Sequence, residues 1–116
     1  MKKMTVPIDN ETWIIEDGDI VIRKIAEHGI DTLLPIELLI YCLWVADYGM
    51  RNAGDLETAT DLFADFQTHA RRIGYELSLP VTSEVFSMSR DELERGYFQR
   101  FDDLCNEIRR VRDGTS

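Results

Sequence analysis

The chain has 116 residues, room for one domain, and its 44% hydrophobic and 30% charged residues are ordinary globular composition rather than that of a disordered chain. Twenty-two acids against thirteen bases give a formal net charge of -9. That sign is opposite to what neutralises phosphates, so direct binding to nucleic acid or to an anionic membrane is excluded as the main activity.

Residues 1–11 are polar and read as irregular. Lys2 and Lys3 run into Thr5-Val6-Pro7-Ile8-Asp9 with no apolar stretch for a signal peptide, and the longest apolar run, Leu38 to Ala46, is about half of a bilayer span. A cytoplasmic protein without membrane association is the expectation. Two readings compete over residues 12–22. Trp13-Ile14-Ile15 and Ile20-Val21-Ile22 around Asp17-Gly18 resemble a small hairpin. Against that, Asp19 can cap a helix whose face holds Ile22, Ile25 and Ala26 and whose end is Gly29. The helix, over about 19–28, is the favoured reading.

Pro35 suits the first turn of a second helix, where its missing N–H costs nothing. From Ile36 to Met50 the residues are apolar on nearly every side, with Glu37 and Asp47 as the only charges, which predicts a buried central helix. Gly54 closes it and Asp55 caps the next. The third helix carries Leu56, Ala59, Phe63, Phe66, Ala70 and Ile73 at helical spacing and ends at Gly74. A loop around Pro80 and a short turn at Ser83 to Phe86 follow. Ser89 and Glu92 form a capping box, and the last helix aligns Leu93, Tyr97, Phe101, Leu104, Ile108 and Val111. The fold class is all-α, a single compact domain over 1–116 of about four main helices.

No constellation carries catalysis. Cys42 and Cys105 fall on apolar helix faces and read as buried, reduced thiols. His28 precedes the capping Gly29, and His69 lies near the end of the third helix, where an imidazolium suits the helix dipole. Neither has a metal-ligand partner at the right spacing, and the glycines form no phosphate loop. No metal, no cofactor and no enzymatic activity are expected.

Two features stand out. The segment Asp47-Tyr48-Gly49-Met50-Arg51-Asn52-Ala53-Gly54-Asp55 places Asp47, Arg51, Asn52 and Asp55 beside two glycines after a buried helix. Structurally, Asp47 pairs with Arg51 four residues on, Asn52 bonds free carbonyls and Asp55 caps. Functionally, the same segment is a rigid recognition loop for a ligand. The second feature is an acidic row, Glu57, Asp61 and Asp65, every four residues opposite the apolar stripe. Such residues stand about 6 Å apart, close to the spacing of backbone phosphates, though a plain solvated face has the same pattern.

The helix Leu39-Ile40-Tyr41-Cys42-Leu43-Trp44, running into Asp47 and then Asn52-Ala53-Gly54, resembles a small acidic helical family of unknown function. An acidic residue followed by Asn-Gly-Gly-Phe marks that family, which includes a DNA-mimic protein. The likeness extends from Leu34 through Tyr97-Phe98 and Asp102-Asp103-Leu104 to Ile108-Arg109. Ala53 stands in place of the first glycine, and no phenylalanine follows Gly54. The resemblance implies a helical fold and partners among DNA-binding proteins.

The leading expectation is a non-enzymatic binding protein that inhibits or regulates a basic protein, either a nucleic-acid-binding protein or a toxin met by an immunity protein. The Glu57, Asp61 and Asp65 row would face that partner. A self-associating accessory domain, as a homodimer, is the second reading. A small-ligand binder or enzyme built on the 47–55 loop is the third.

Overall fold

The first helix begins where Asp9 accepts a hydrogen bond from the Thr12 N–H at 2.7 Å, a side-chain N-cap. From there α1 (Asn10–His28) runs unbroken to Gly29, which takes φ 92°. A computed structural model describes residues 8–114. The irregular N-terminus expected over 1–11 falls outside the described residues for 1–7, and Asn10 and Glu11 already belong to α1. The hairpin does not form, and the helix starts at Asn10 rather than Asp19. Asp19 lies mid-helix and pairs with Arg23 at 2.8 Å instead of capping.

Packing explains why β-branched residues beside an Asp-Gly pair became helix. Ile14, Gly18 and Val21 form a buried face of α1. At Gly18 a Cβ would stand 2.4 Å from the Trp44 ring, so the glycine is a seat for an indole, not a turn. A mid-helix glycine costs about 1 kcal/mol against alanine, which tertiary contact outweighs here.

A short 3-10 turn (Ile30–Thr32) leads to α2 (Pro35–Ala53), the buried central helix that was expected, with Pro35 in its first turn and left-handed Gly54 at its end. Leu39, Ile40, Cys42, Leu43, Val45 and Ala46 are fully buried. Helix α2 packs against α1, α3, α4 and α6.

The single third helix expected over 55–74 is two helices, α3 (Glu57–Leu62) and α4 (Phe66–Glu76). Phe63 breaks the run in an extended conformation, φ -155° and ψ 93°, and its ring packs against Tyr41 and His69. The apolar stripe survives the break, because Leu56, Ala59, Phe66, Ala70 and Ile73 are all buried. The break moves His69 from a helix end to the first turn of α4. Gly74 does not end α4; a Cβ there would come within 2.9 Å of the Ser83 backbone nitrogen, so the glycine lets α5 cross closely.

Helix α5 (Pro80–Val85) occupies the stretch expected as loop and turn. Helix α6 (Arg90–Arg112) opens on the Ser89–Glu92 capping box and buries Leu93, Tyr97, Phe101, Leu104 and Ile108, while Val111 is exposed rather than part of the stripe. The described residues are thus all-helical, with four longer helices and two short ones around α2. None of these helices is long and apolar enough to cross a membrane.

Candidate functional site

The polar segment after the central helix closes on itself. Asp47, only 4% exposed, sits on α2 one turn before Arg51, whose Nε donates to both carboxylate oxygens at 3.0 Å. The Tyr97 hydroxyl of α6 donates to the same carboxylate at 2.8 Å. The Arg51 guanidinium lies 5.1 Å from the Phe98 ring centre and 4.8 Å from that of Phe101, with the Glu11 carboxylate of α1 at 3.7 Å. Three helices meet on one ion pair. Burial pushes the Asp47 carboxyl above its usual range, opposed by the Tyr97 hydrogen bond and the Arg51 charge. Burial likewise pushes the Tyr97 phenol well up, and the Asp47 charge adds to it.

Asn52 donates to the Tyr48 carbonyl at 2.8 Å, and Asp55 accepts from the Glu57 N–H at 3.1 Å. Asp47, Arg51, Asn52 and Asp55 therefore spend their polar groups on the fold. Tyr97 completes this cluster. Sequence placed it in the apolar stripe of the last helix and in the Tyr97-Phe98 pair of the resemblance but not beside Asp47, and its hydroxyl was the available signal, since a buried phenol needs a partner.

Other acids are built in the same way. Glu37, 8% exposed, accepts from Lys24 Nζ of α1 at 2.9 Å and from the Leu34 N–H at 2.8 Å. Burial alone would raise its carboxyl. The Lys24 and Leu34 hydrogen bonds, with the charges of Lys24 and Arg112, outweigh that and hold it below the usual range. Glu107 of α6, 4% exposed, accepts from the Val81 N–H at 3.0 Å and from the Thr82 N–H and hydroxyl at 2.8 Å. It thereby satisfies donors in the first turn of α5 that no helix can satisfy for itself. Glu94 does the same for the Leu56 N–H before α3, at 2.8 Å.

The acidic row is different. Glu57 and Asp61 stand one turn apart on α3, and Asp65 follows beyond the break, at the start of α4. All three are exposed, and none makes an ion pair with a described residue. Between Arg51 and Arg71 the chain has no lysine or arginine. One base reaches the flank from α6: Arg90 Nη1 donates to Thr60 Oγ1 at 2.8 Å.

Phe63, between Asp61 and Asp65 in the chain, belongs to a ladder of rings that are partly buried against the core, save for the exposed Tyr48. On α2, Tyr41 stacks with Trp44 at 6.3 Å, and Trp44 with Tyr48 at 5.4 Å. Phe63 joins the ladder 5.3 Å from Tyr41, and His69 stacks on Phe63 at 5.3 Å. Helical spacing of 41, 44 and 48 puts the α2 rings on one face, but the contribution of Phe63 depends on the break.

Cys42 and Cys105 are fully buried, and burial pushes both thiols far up. Among the described residues no group of His, Cys, Asp and Glu could hold a metal. His28 stands exposed at the end of α1. No family model, no curated protein and no solved structure matches the chain.

Proposed function

We propose that this protein is a non-enzymatic binding protein that docks on a basic protein, and so inhibits or regulates it, as a DNA mimic or an immunity-type protein does. One observation carries the reading: Glu57, Asp61 and Asp65 are exposed and unpaired among the described residues, on a segment with no lysine or arginine of its own. Some surface acids elsewhere pair with bases, as in Asp19–Arg23, Glu76–Arg72, Glu84–Arg100 and Asp91–Arg95, while Glu16, Asp31 and Asp103 stand exposed and scattered without an ion pair among the described residues. Unpaired carboxylates of one sign attract a basic surface at long range and speed its arrival.

Charge alone gives little affinity. The adjoining ladder of Tyr41, Trp44, Tyr48 and Phe63 supplies what charge lacks, since tyrosine and tryptophan are enriched among residues that dominate binding energy. The resemblance to a family with a DNA-mimic member points to a DNA-binding protein as one such partner, beside a toxin met by an immunity protein.

The test is capture from the host followed by kinetics. Immobilised protein should retain a basic protein that salt releases. The triple variant Glu57→Gln, Asp61→Asn, Asp65→Asn should bind it with a slower on-rate and a flatter salt dependence. Capture of no basic protein, or an unchanged on-rate and salt slope, rejects the reading.

A further inference from the structure

With a formal net charge of -9, an arginine without a carboxylate partner is informative, because acids outnumber bases across the chain. Arg23, Arg51, Arg72, Arg95, Arg100 and Arg112 each lie against an aspartate or glutamate. Arg109 spends Nη1 on the Ile8 carbonyl and the Asn10 side-chain oxygen and stacks over Trp13.

Two arginines differ, and they line one cleft. The exposed Arg71 side chain makes no hydrogen bond, ion pair or ring contact with any described residue. Arg90 is held by neutral groups alone: Nε donates to Gln67 Oε1 at 3.2 Å, Nη1 donates to Thr60 Oγ1 at 2.8 Å, and the guanidinium lies 5.4 Å over the Phe66 ring. Gln67 is itself fixed, because its Nε2 donates to the Met88 carbonyl at 2.8 Å and the Phe86 carbonyl at 3.2 Å. That turns its oxygen toward Arg90. The cleft, about 220 Å³, lies between α4 and the turn from α5 to α6, and Thr68 and Ser87 add hydroxyls to its wall. It shares Arg71, Thr68 and Ser87 with an adjoining cleft of about 600 Å³ that also carries Tyr75 and the Arg72–Glu76 ion pair, which leaves no free cation there but Arg71 among the described residues.

We propose that this cleft binds a small phosphate-bearing anion. Neutral acceptors orient Arg90 without cancelling its charge, and Arg71 is left to complete the pair. Guanidinium groups match the fork geometry and the double charge of a phosphate, and the hydroxyls supply further donors. A carboxylate would occupy one fork and leave the other cation unmet. Asp65, one residue from Ala64 on the rim, opposes an anion; salt confines that effect to about 8 Å at physiological strength. The site does not rest on the acidic row as a docking surface, although neutralising Asp65 would ease binding of an anion here.

The full-length protein, in phosphate-free buffer at low salt, should be titrated with inorganic phosphate and, separately, with phosphoserine while backbone amide shifts are followed by NMR. Chloride at matched ionic strength is the reference. Saturable shifts at Thr68, Arg71 and Ser87 are expected with at least one phosphate compound. Saturation by inorganic phosphate alone identifies a free phosphate as the source, and saturation by phosphoserine alone identifies a phosphomonoester; either supports the site. In Arg71→Gln the affinity should fall about tenfold or more, the scale of one lost charge-assisted contact. Because the exposed Arg71 side chain makes no hydrogen bond or ion pair with a described residue, that variant should keep the wild-type fold, whereas Arg90→Gln also removes contacts to Thr60 and Gln67. Shifts that never saturate, shifts that chloride reproduces, or an unchanged affinity in Arg71→Gln each overturn the proposal.

Discussion

Glu37, Asp47 and Glu107 are 8%, 4% and 4% exposed, and each accepts hydrogen bonds from at least one other helix or its first turn. Glu57, Asp61 and Asp65 are chemically the same groups, yet they stand exposed on α3 and the start of α4 with no ion pair among the described residues. The first set joins helices. The second set is free to meet something else. The formal charge of -9 therefore mixes two populations, acids held by donors within the fold and acids left open to solvent, and only the second can meet a partner's bases directly. A buried carboxylate is costly to desolvate and persists only where donors are aimed at it, which is the arrangement around all three buried acids.

Asp47→Ala tests the inner set hardest. It leaves the Tyr97 hydroxyl and the Arg51 guanidinium without their shared acceptor, and breaking a buried pair in this way costs about 3–5 kcal/mol. Urea unfolding should show that loss. Arg51→Ala should also lower stability, since it strands a buried carboxylate. If Arg51→Ala kept wild-type stability but lost binding, the segment would be a recognition site and not a clip.

Glu107→Leu should cost a comparable amount by a different route. It removes no cation partner, but it strands the Thr82 N–H and hydroxyl in a buried setting, at about 1–3 kcal/mol for each donor left unmet. Glu107→Gln keeps one acceptor oxygen and should recover part of the loss. Equal damage from both would mean that the charge, rather than the acceptor, matters.

Acid titration separates Glu37 from Asp47. The Glu37 carboxyl is held below its unfolded value, so its contribution is present above the ordinary glutamate range and lost as pH falls through the lower folded value. The Asp47 carboxyl is raised, so the native state binds its proton first and the group favours folding as pH falls. Stability measured between about pH 6 and pH 3 should thus decline less steeply in Glu37→Gln than in wild type, and more steeply in Asp47→Asn. Parallel curves for all three proteins would show that neither shift is real.

The parts of this architecture that local chemistry determines were legible in the sequence. Pro35, Gly29, Gly54 and the Ser89–Glu92 box mark helix ends through their own backbone and side-chain preferences, and the structure uses each one. The failures share a cause in long-range packing. Gly18 read as a turn because its partner, Trp44, lies 26 positions away and only the fold brings them together. The stripe from Leu56 to Ile73 kept its period through a break, because Phe63 leaves the helix yet remains in the aromatic ladder. At the polar segment the Asp47–Arg51 pair was visible from its spacing of four, whereas Tyr97 was not, being 50 residues on. Glu107 carried no local sign at all, since its donors belong to a short helix that read as a loop.

The smallest effect belongs to the outer set, and opposing small terms explain why. Glu57 lies in the first turn of α3, where the helix dipole favours an acid by about 0.3–1 kcal/mol at low salt. Asp61 stands four residues on, and a like-charge pair at that spacing costs about 0.2–0.5 kcal/mol. Asp65 precedes α4 without a side-chain capping bond, so its removal strands no donor. The terms nearly cancel. Stability of the triple variant Glu57→Gln, Asp61→Asn, Asp65→Asn should therefore stay within about 0.5 kcal/mol of wild type, the usual range for surface changes. Adding salt should shrink even that difference, since every term involved is exposed and screened. A loss above about 1 kcal/mol, or one that persists at high salt, would place at least one of these carboxylates with the inner set. The division between acids that join helices and acids that face outward would then no longer hold at α3.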